Sequence, residues 1–168
     1  MTIEGFIAAD WSAQPDDRRS ANGYIIYLRG NLISWFSTKK KLVSCSSAES
    51  EYRGLVLATA GIIWIQALLQ ELYVPTPVVP ILWYDSISAY HIAKNFEFHS
   101  RTKHIEIDLH FIRDQVLRGQ IELHFIPTEE QPANLLTIHL TSSRFLFLKT
   151  QLCLIPRPFH LRGMINHW

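Results

Sequence analysis

The sequence predicts an α/β fold: a five-stranded mixed sheet, with an antiparallel hairpin meander at one edge, parallel strands at the other, and helices on its faces. Three observations predict it. Short apolar runs rich in β-branched and aromatic residues crowd the first forty positions, EGFIAA, GYIIYL and LISWFS, with tight-turn residues between the last two. A single long apolar segment follows, and its apolar positions recur at helical spacing. Two further short strands, ILWY and QIELHFI, are separated by helix-like stretches, the arrangement of a crossover between parallel strands.

In chain order, EGFIAA (4–9) is a strand that runs into Asp10 and a polar loop, SAQPDDRRSAN. GYIIYL (23–28) and LISWFS (32–37) are the arms of a hairpin closed by RGN, with Gly30 and Asn31 as its turn residues. TKKK (38–41) is a basic loop. Residues 47–72 form a long helix, ended by the proline-bearing VPTPVVP. ILWY (81–84) is a strand that stops at Asp85, and SISAYHIAKN (86–95) is a short helix. FEFHSRTKH (96–104) is a loop, and IEIDLHFIRDQVLRG (105–119) is a helix that stops at Gly119. QIELHFI (120–126) is a strand, PTEEQPANLLT starts a short helix, and SSRFLFLKTQLCL (142–154) is helical. The division is one domain over 1–154 and an irregular tail over 155–168.

The bulk properties exclude several classes. The chain has 168 residues, 48% hydrophobic and 18% charged, which suits one domain with its own core. A net charge of +1 provides no molecule-wide basic field, so nucleic-acid contact has to come from local patches. Two distant cysteines, Cys45 and Cys153, make neither a disulfide framework nor a zinc site and fit an intracellular, non-secreted setting. No stretch reaches ~18 uninterrupted apolar residues, so the reading is no signal peptide and no membrane span.

The chemistry lies in carboxylates. In SSAESEYRGL, Ser46 and Glu49 have capping-box spacing, which gives Glu49 a structural task. Glu51 heads a stripe: positions 51, 55, 58, 62, 65, 69 and 72 are Glu, Leu, Ala, Ile, Ile, Leu and Leu. A carboxylate at the top of a core-facing stripe either escapes to solvent, where it favours the helix dipole, or is paired or metal-bound. Asp10 and Asp85 stand at the carboxyl ends of strands, where open α/β sheets place their ligand sites, although such an Asp also serves as a helix N-cap. Together the three are hard oxygen donors that suit Mg²⁺ or Mn²⁺.

GFIAADWSAQPDDRRSANGY, LISWFSTKKKLVSCSSAESEYRGL, WYDSISAYHIAKN, FHSRTKHIEIDLHFIRDQVLRGQIELHFIPTEEQPANLLT and SSRFLFLKTQL run in order from residue 5 to about residue 152. They resemble the ribonuclease H domain of copia-type retrotransposon Pol polyproteins. The resemblance implies a ribonuclease H-like fold and cleavage of the RNA strand of an RNA–DNA hybrid by two Mg²⁺ (or Mn²⁺) ions held by four carboxylates. It also implies a reverse transcriptase domain as partner in the parent polyprotein. Carried over, the Glu of the S-E-Y step is Glu51 and the Asp ending the fourth strand is Asp85.

Two positions depart from that pattern. Ala8 stands where the family has the first Asp of its D-A-D-W run, and Asn134 where it has the Asp of Q-x-A-D. Pro132 and Ile138 also replace the usual leucine and lysine. Asp10 survives as the second acid of the D-A-D run, on the same strand face as Ala8 but ~6.6 Å further along. Asn134 can offer only an uncharged carbonyl to a metal. The expectation is a separated, partly degenerate copy that binds a metal weakly and is impaired in catalysis; the alternative is an inactive relic that serves as a nucleic-acid-binding or interaction module.

Lys39, Lys40, Lys41, Arg101, Lys103 and His104 are the candidate contacts to hybrid phosphates, against a reading as solvated loop charge. His91, His99, His110 and His124 lack metal-ligand spacing and read as structural or surface histidines. Trp35, Trp64 and Trp83 read as core, and Trp11 as a neighbour of the site.

Overall fold

The computed structural model describes residues 1–10, 20–39, 47–85 and 103–152. Its elements are β1 (Ile3–Asp10), β2 (Ala21–Leu28), β3 (Asn31–Lys39), α1 (Ser47–Glu71), β4 (Ile81–Tyr84), α2 (Lys103–Leu117), β5 (Glu122–Phe125), two 3₁₀ turns (Thr128–Glu130 and Pro132–Leu136) and α3 (Ser142–Gln151). The strands form one sheet in the order β3-β2-β1-β4-β5. β1, β2 and β3 pair antiparallel, whereas β1 with β4 and β4 with β5 pair parallel. The predicted mixed sheet is the one observed.

Alternation along β1 divides the molecule into two layers. Ile3 and Ile7 point to the α1 side, where Leu55, Ala58, Ile62, Ile65 and Leu69 meet Ile26, Leu82, Leu109, Ile112 and Ile121. Each of these Leu and Ile side chains contributes roughly 1.5–3 kcal/mol by leaving water. Phe6 and Ala8 point the other way, into a smaller cluster with Ile25, Tyr27 and Ala133 beneath the second 3₁₀ turn. The α1 segment Glu49–Glu71 is long and apolar enough to cross a membrane by length and composition. Its buried stripe marks it as the central helix of this core.

Several sequence expectations need correction. Thr38 and Lys39 extend β3 rather than starting a loop; Lys39 pairs with Ala21, which in turn pairs with Asp10. The hairpin turn is Arg29-Gly30, with φ of 52° and 76°, because Leu28 pairs with Asn31. The α1 stripe ends before Leu72, which is 61% exposed, and it takes in Tyr52 and Thr59, both buried. α2 begins at Lys103, inside the stretch read as loop. The PTEEQPANLLT helix is two 3₁₀ turns. Trp35 (63% exposed) and Trp64 (65% exposed) are not core: Trp35 lies on the edge strand, and Trp64 lies on the side of α1 turned away from the sheet. The Ser46 cap, the 86–95 helix, Trp11, His91, His99, both cysteines and the 155–168 tail lie outside the described residues.

Candidate active site at the carboxyl ends of β1 and β4

Parallel pairing sets the floor of the site. Ile7 pairs with Tyr84, one strand spacing (~4.8 Å) away, and Ala8 and Asp85 are the residues that follow them in the chain. Across β1, Ala8 pairs with Gly23 of β2. Gly23 has no room for a side chain: a Cβ there would stand 2.7 Å from Leu136 Cβ. That close approach seats the second 3₁₀ turn on the sheet and brings Asn134 over the strand ends.

The first turn of α1 is fixed separately. The buried side chains of Ser50 and Asn22 meet at 2.7 Å and tie the helix start to β2. Glu49 is also buried and binds Arg53 at 2.9 Å, one turn along. Glu51, next to Ser50, is half-buried, and its charge reaches Asp85.

The acids converge. Asp85 accepts hydrogen bonds from the Thr128 and Asn134 side chains and is repelled by the charge of Glu51. Burial is the largest influence and raises its pKa above the usual 3.8; the Glu51 charge adds to the rise, while the two hydrogen bonds oppose it. Asn134, 5% exposed, also donates from Nδ2 to the Thr128 carbonyl at 3.0 Å. Tyr52 is pushed up to about 12 by burial and by the adjacent Glu51 charge. Glu51, Asp85 and Asn134 therefore lie near one another, beyond the ends of β1 and β4.

Asp10 stands two residues beyond Ala8 on β1. Burial raises its pKa, and the nearby His139 lowers it. Sequence reading missed His139, Thr128, Tyr52, Asn22 and Ser50. No spacing rule links residues so far apart in the chain, and only the A-E-S-E run hinted that the helix start is specialised. Lys39 is exposed at the same end of the sheet as Asp10. Lys40, Lys41 and Arg101 lie outside the described residues, as do the side chains of Lys103 and His104. His110 is exposed, and His124 binds Glu122 at 3.0 Å, both as read from the sequence.

A two-metal centre does not fit the donors present. Two carboxylates offer about −2 to about +4 of ionic charge. The methyl group of Ala8 is packed in the apolar cluster, and Asn134 directs hydrogen-bond donors, not an anion, into the site. Among the described residues, no three Asp, Glu, His or Cys side chains are grouped to hold a metal ion.

No protein-family model matches the chain. It is 40% identical over 145 residues, 86% of its length, to the retrovirus-related Pol polyprotein from transposon RE1 of Arabidopsis thaliana. It is 36% identical over 166 residues, 99% of its length, to that of transposon RE2 of the same plant. The chain spans only 10% and 11% of those relatives. The crystal structure of LC11-RNase H1 in complex with an RNA/DNA hybrid matches 80% of this chain and 93% of that one, with a TM-score of 0.57 at 14% identity. The chain belongs with the copia-type retrotransposon Pol polyproteins, as a homologue of one segment of them, and it has the ribonuclease H fold.

Proposed function

We propose that the chain is a retrotransposon-derived ribonuclease H-like domain that binds RNA–DNA hybrid, and that its hydrolysis of the RNA strand is impaired by the loss of two metal-binding carboxylates, at Ala8 and Asn134. The observation that carries this reading is the meeting of Glu51, Asp85 and Asn134 at the carboxyl ends of β1 and β4. That is where an open α/β sheet presents its ligand site. The hybrid bound by LC11-RNase H1, a protein of the same fold, supports the choice of ligand. In this reading Glu51 and Asp85 hold at most one divalent ion weakly, and Asp10 stands too far along β1 to replace the missing bridge. The reverse transcriptase of the parent polyprotein is the partner in cis.

A relic that binds nucleic acid without cleaving it is the second reading, favoured by the apolar packing of Ala8. Both readings place phosphates near the basic end of β3. Binding of a fluorescent RNA–DNA hybrid over a salt series tests this. Affinity should fall steeply with salt, and the Lys39→Ala/Lys40→Ala/Lys41→Ala variant should flatten the log–log slope by roughly 0.9 per lost phosphate contact. Binding that is absent, or indifferent to salt, would sink the nucleic-acid assignment.

A further inference from the structure

We propose that the side-chain amide of Asn134 has taken over the place of a divalent cation, so that this site is closed by hydrogen bonds and the fold no longer draws stability from metal. The inference rests on the reading of Glu51, Asp85 and Asn134 as one site. An Asn amide has two N–H bonds and no charge. Nδ2 donates to the Thr128 carbonyl at 3.0 Å, and the same side chain is among the hydrogen-bonding neighbours that lower the pKa of Asp85. The Thr128 hydroxyl donates to the same carboxylate. Asp85 is thereby satisfied by donors from one turn, where a pair of cations would otherwise have to neutralise it.

The amide is held in place by its own turn. Asn134 N donates to Gln131 O at 3.3 Å, and Asn134 O accepts from Thr137 N at 3.3 Å and Ile138 N at 3.2 Å. The Gln131 side chain, fully buried, accepts from Ala133 N at 3.3 Å. With Ala133 packed near Ala8 and Leu136 against Gly23, the turn cannot swing away from Asp85. An Asp at 134 would have the same shape and the opposite chemistry. It would turn acceptors toward the Thr128 carbonyl and toward Asp85, and would crowd three carboxylates, 51, 85 and 134, into one site. A bound cation, or a proton taken up by one of the acids, relieves that arrangement.

The test is thermal melting at neutral pH in EDTA, Mg²⁺ and Mn²⁺, which needs no activity. The wild type should melt at the same temperature in all three. Asn134→Asp should lose roughly 3–10 °C in EDTA, the cost of a lost buried donor, and regain it in divalent metal. The swapped pair Asp85→Asn/Asn134→Asp should recover part of that loss in EDTA, because it again sets one donor against one acid between 85 and 134, while the Thr128 carbonyl stays without its donor. If Asn134→Asp does not fold, the swapped pair alone decides: its recovery supports the proposal and its failure overturns it. A wild type stabilised by Mg²⁺, or an Asn134→Asp variant equal to wild type in EDTA, also overturns it. Hybrid cleavage by the wild type would instead count against the impaired-nuclease reading and leave these melting results to stand alone.

Discussion

Asp85 is hydrogen-bonded to Asn134, an acid paired with a neutral amide where strand β4 ends. Among the interactions of the described residues that set the pKa of Asp85, the charge of Glu51 raises it and the Asn134 side chain lowers it. Burial and the neighbouring charge make ionisation of this acid costlier than in water.

The pH dependence of stability follows from this. The folded-state pKa of Asp85 is raised above the 3.8 of the unfolded chain, with burial first and Glu51 last among the causes. Between those two values the folded state binds more protons than the unfolded one. The stabilisation is therefore complete below pH 3.8 and is lost as pH rises through the folded pKa. Asp85→Asn should gain stability relative to wild type on going from pH 4 to pH 7, read by melting across that range. A difference that stays flat with pH would remove Asp85 from the buried site.

The tie between Asn22 and Ser50 should matter to the geometry of the site as well as to stability. Ser50→Ala leaves a buried amide without its partner, at a cost of about 1–3 kcal/mol. Asn22→Ala should cost a similar amount, and the double variant clearly less than the sum, since both lose one contact. Additive denaturation energies would show that the two side chains do not interact.

The two sides of α1 should respond differently. Ile62→Ala empties a fully buried position and should cost about 2–5 kcal/mol. Trp64→Ala, on the exposed side, should cost well under half of that by urea denaturation. Equal losses would mean that the exposed side of the helix is covered in solution.

Much of this molecule was legible in its sequence because periodicity reports burial. The alternation in GFIAAD put Ala8 and Phe6 on one face, and the spacing of Leu55, Ala58, Ile62, Ile65 and Leu69 gave the core stripe of α1. Glu51, Asp85 and Asn134 were found through motif positions, and the fold brings them together. What was missed depends on contacts across the chain. Trp35 and Trp64 are apolar residues on surfaces that no described element covers, and apolarity alone cannot report that. The hydrogen bonds of Thr128 and the proximity of His139 to Asp10 arise only once the 3₁₀ turns are seated on the sheet. The extension of β3 to Lys39 comes from pairing with Ala21 and overrides the polar composition of TKK.

A ribonuclease H fold with a disabled site should bind but not cut its substrate, and hybrid cleavage with Mg²⁺ or Mn²⁺ is the decisive assay. The wild type and the Ala8→Asp/Asn134→Asp variant should be compared on a labelled RNA–DNA hybrid, with folding of each checked by circular dichroism. The account predicts wild-type cleavage at background and a rise of about 10²-fold or more in the double variant, since metal charge stabilisation is worth several kcal/mol and each ~1.4 kcal/mol is tenfold in rate. Robust wild-type cleavage that disappears in Asp10→Asn would contradict it, because Asp10 would then have taken over the role of the missing acid.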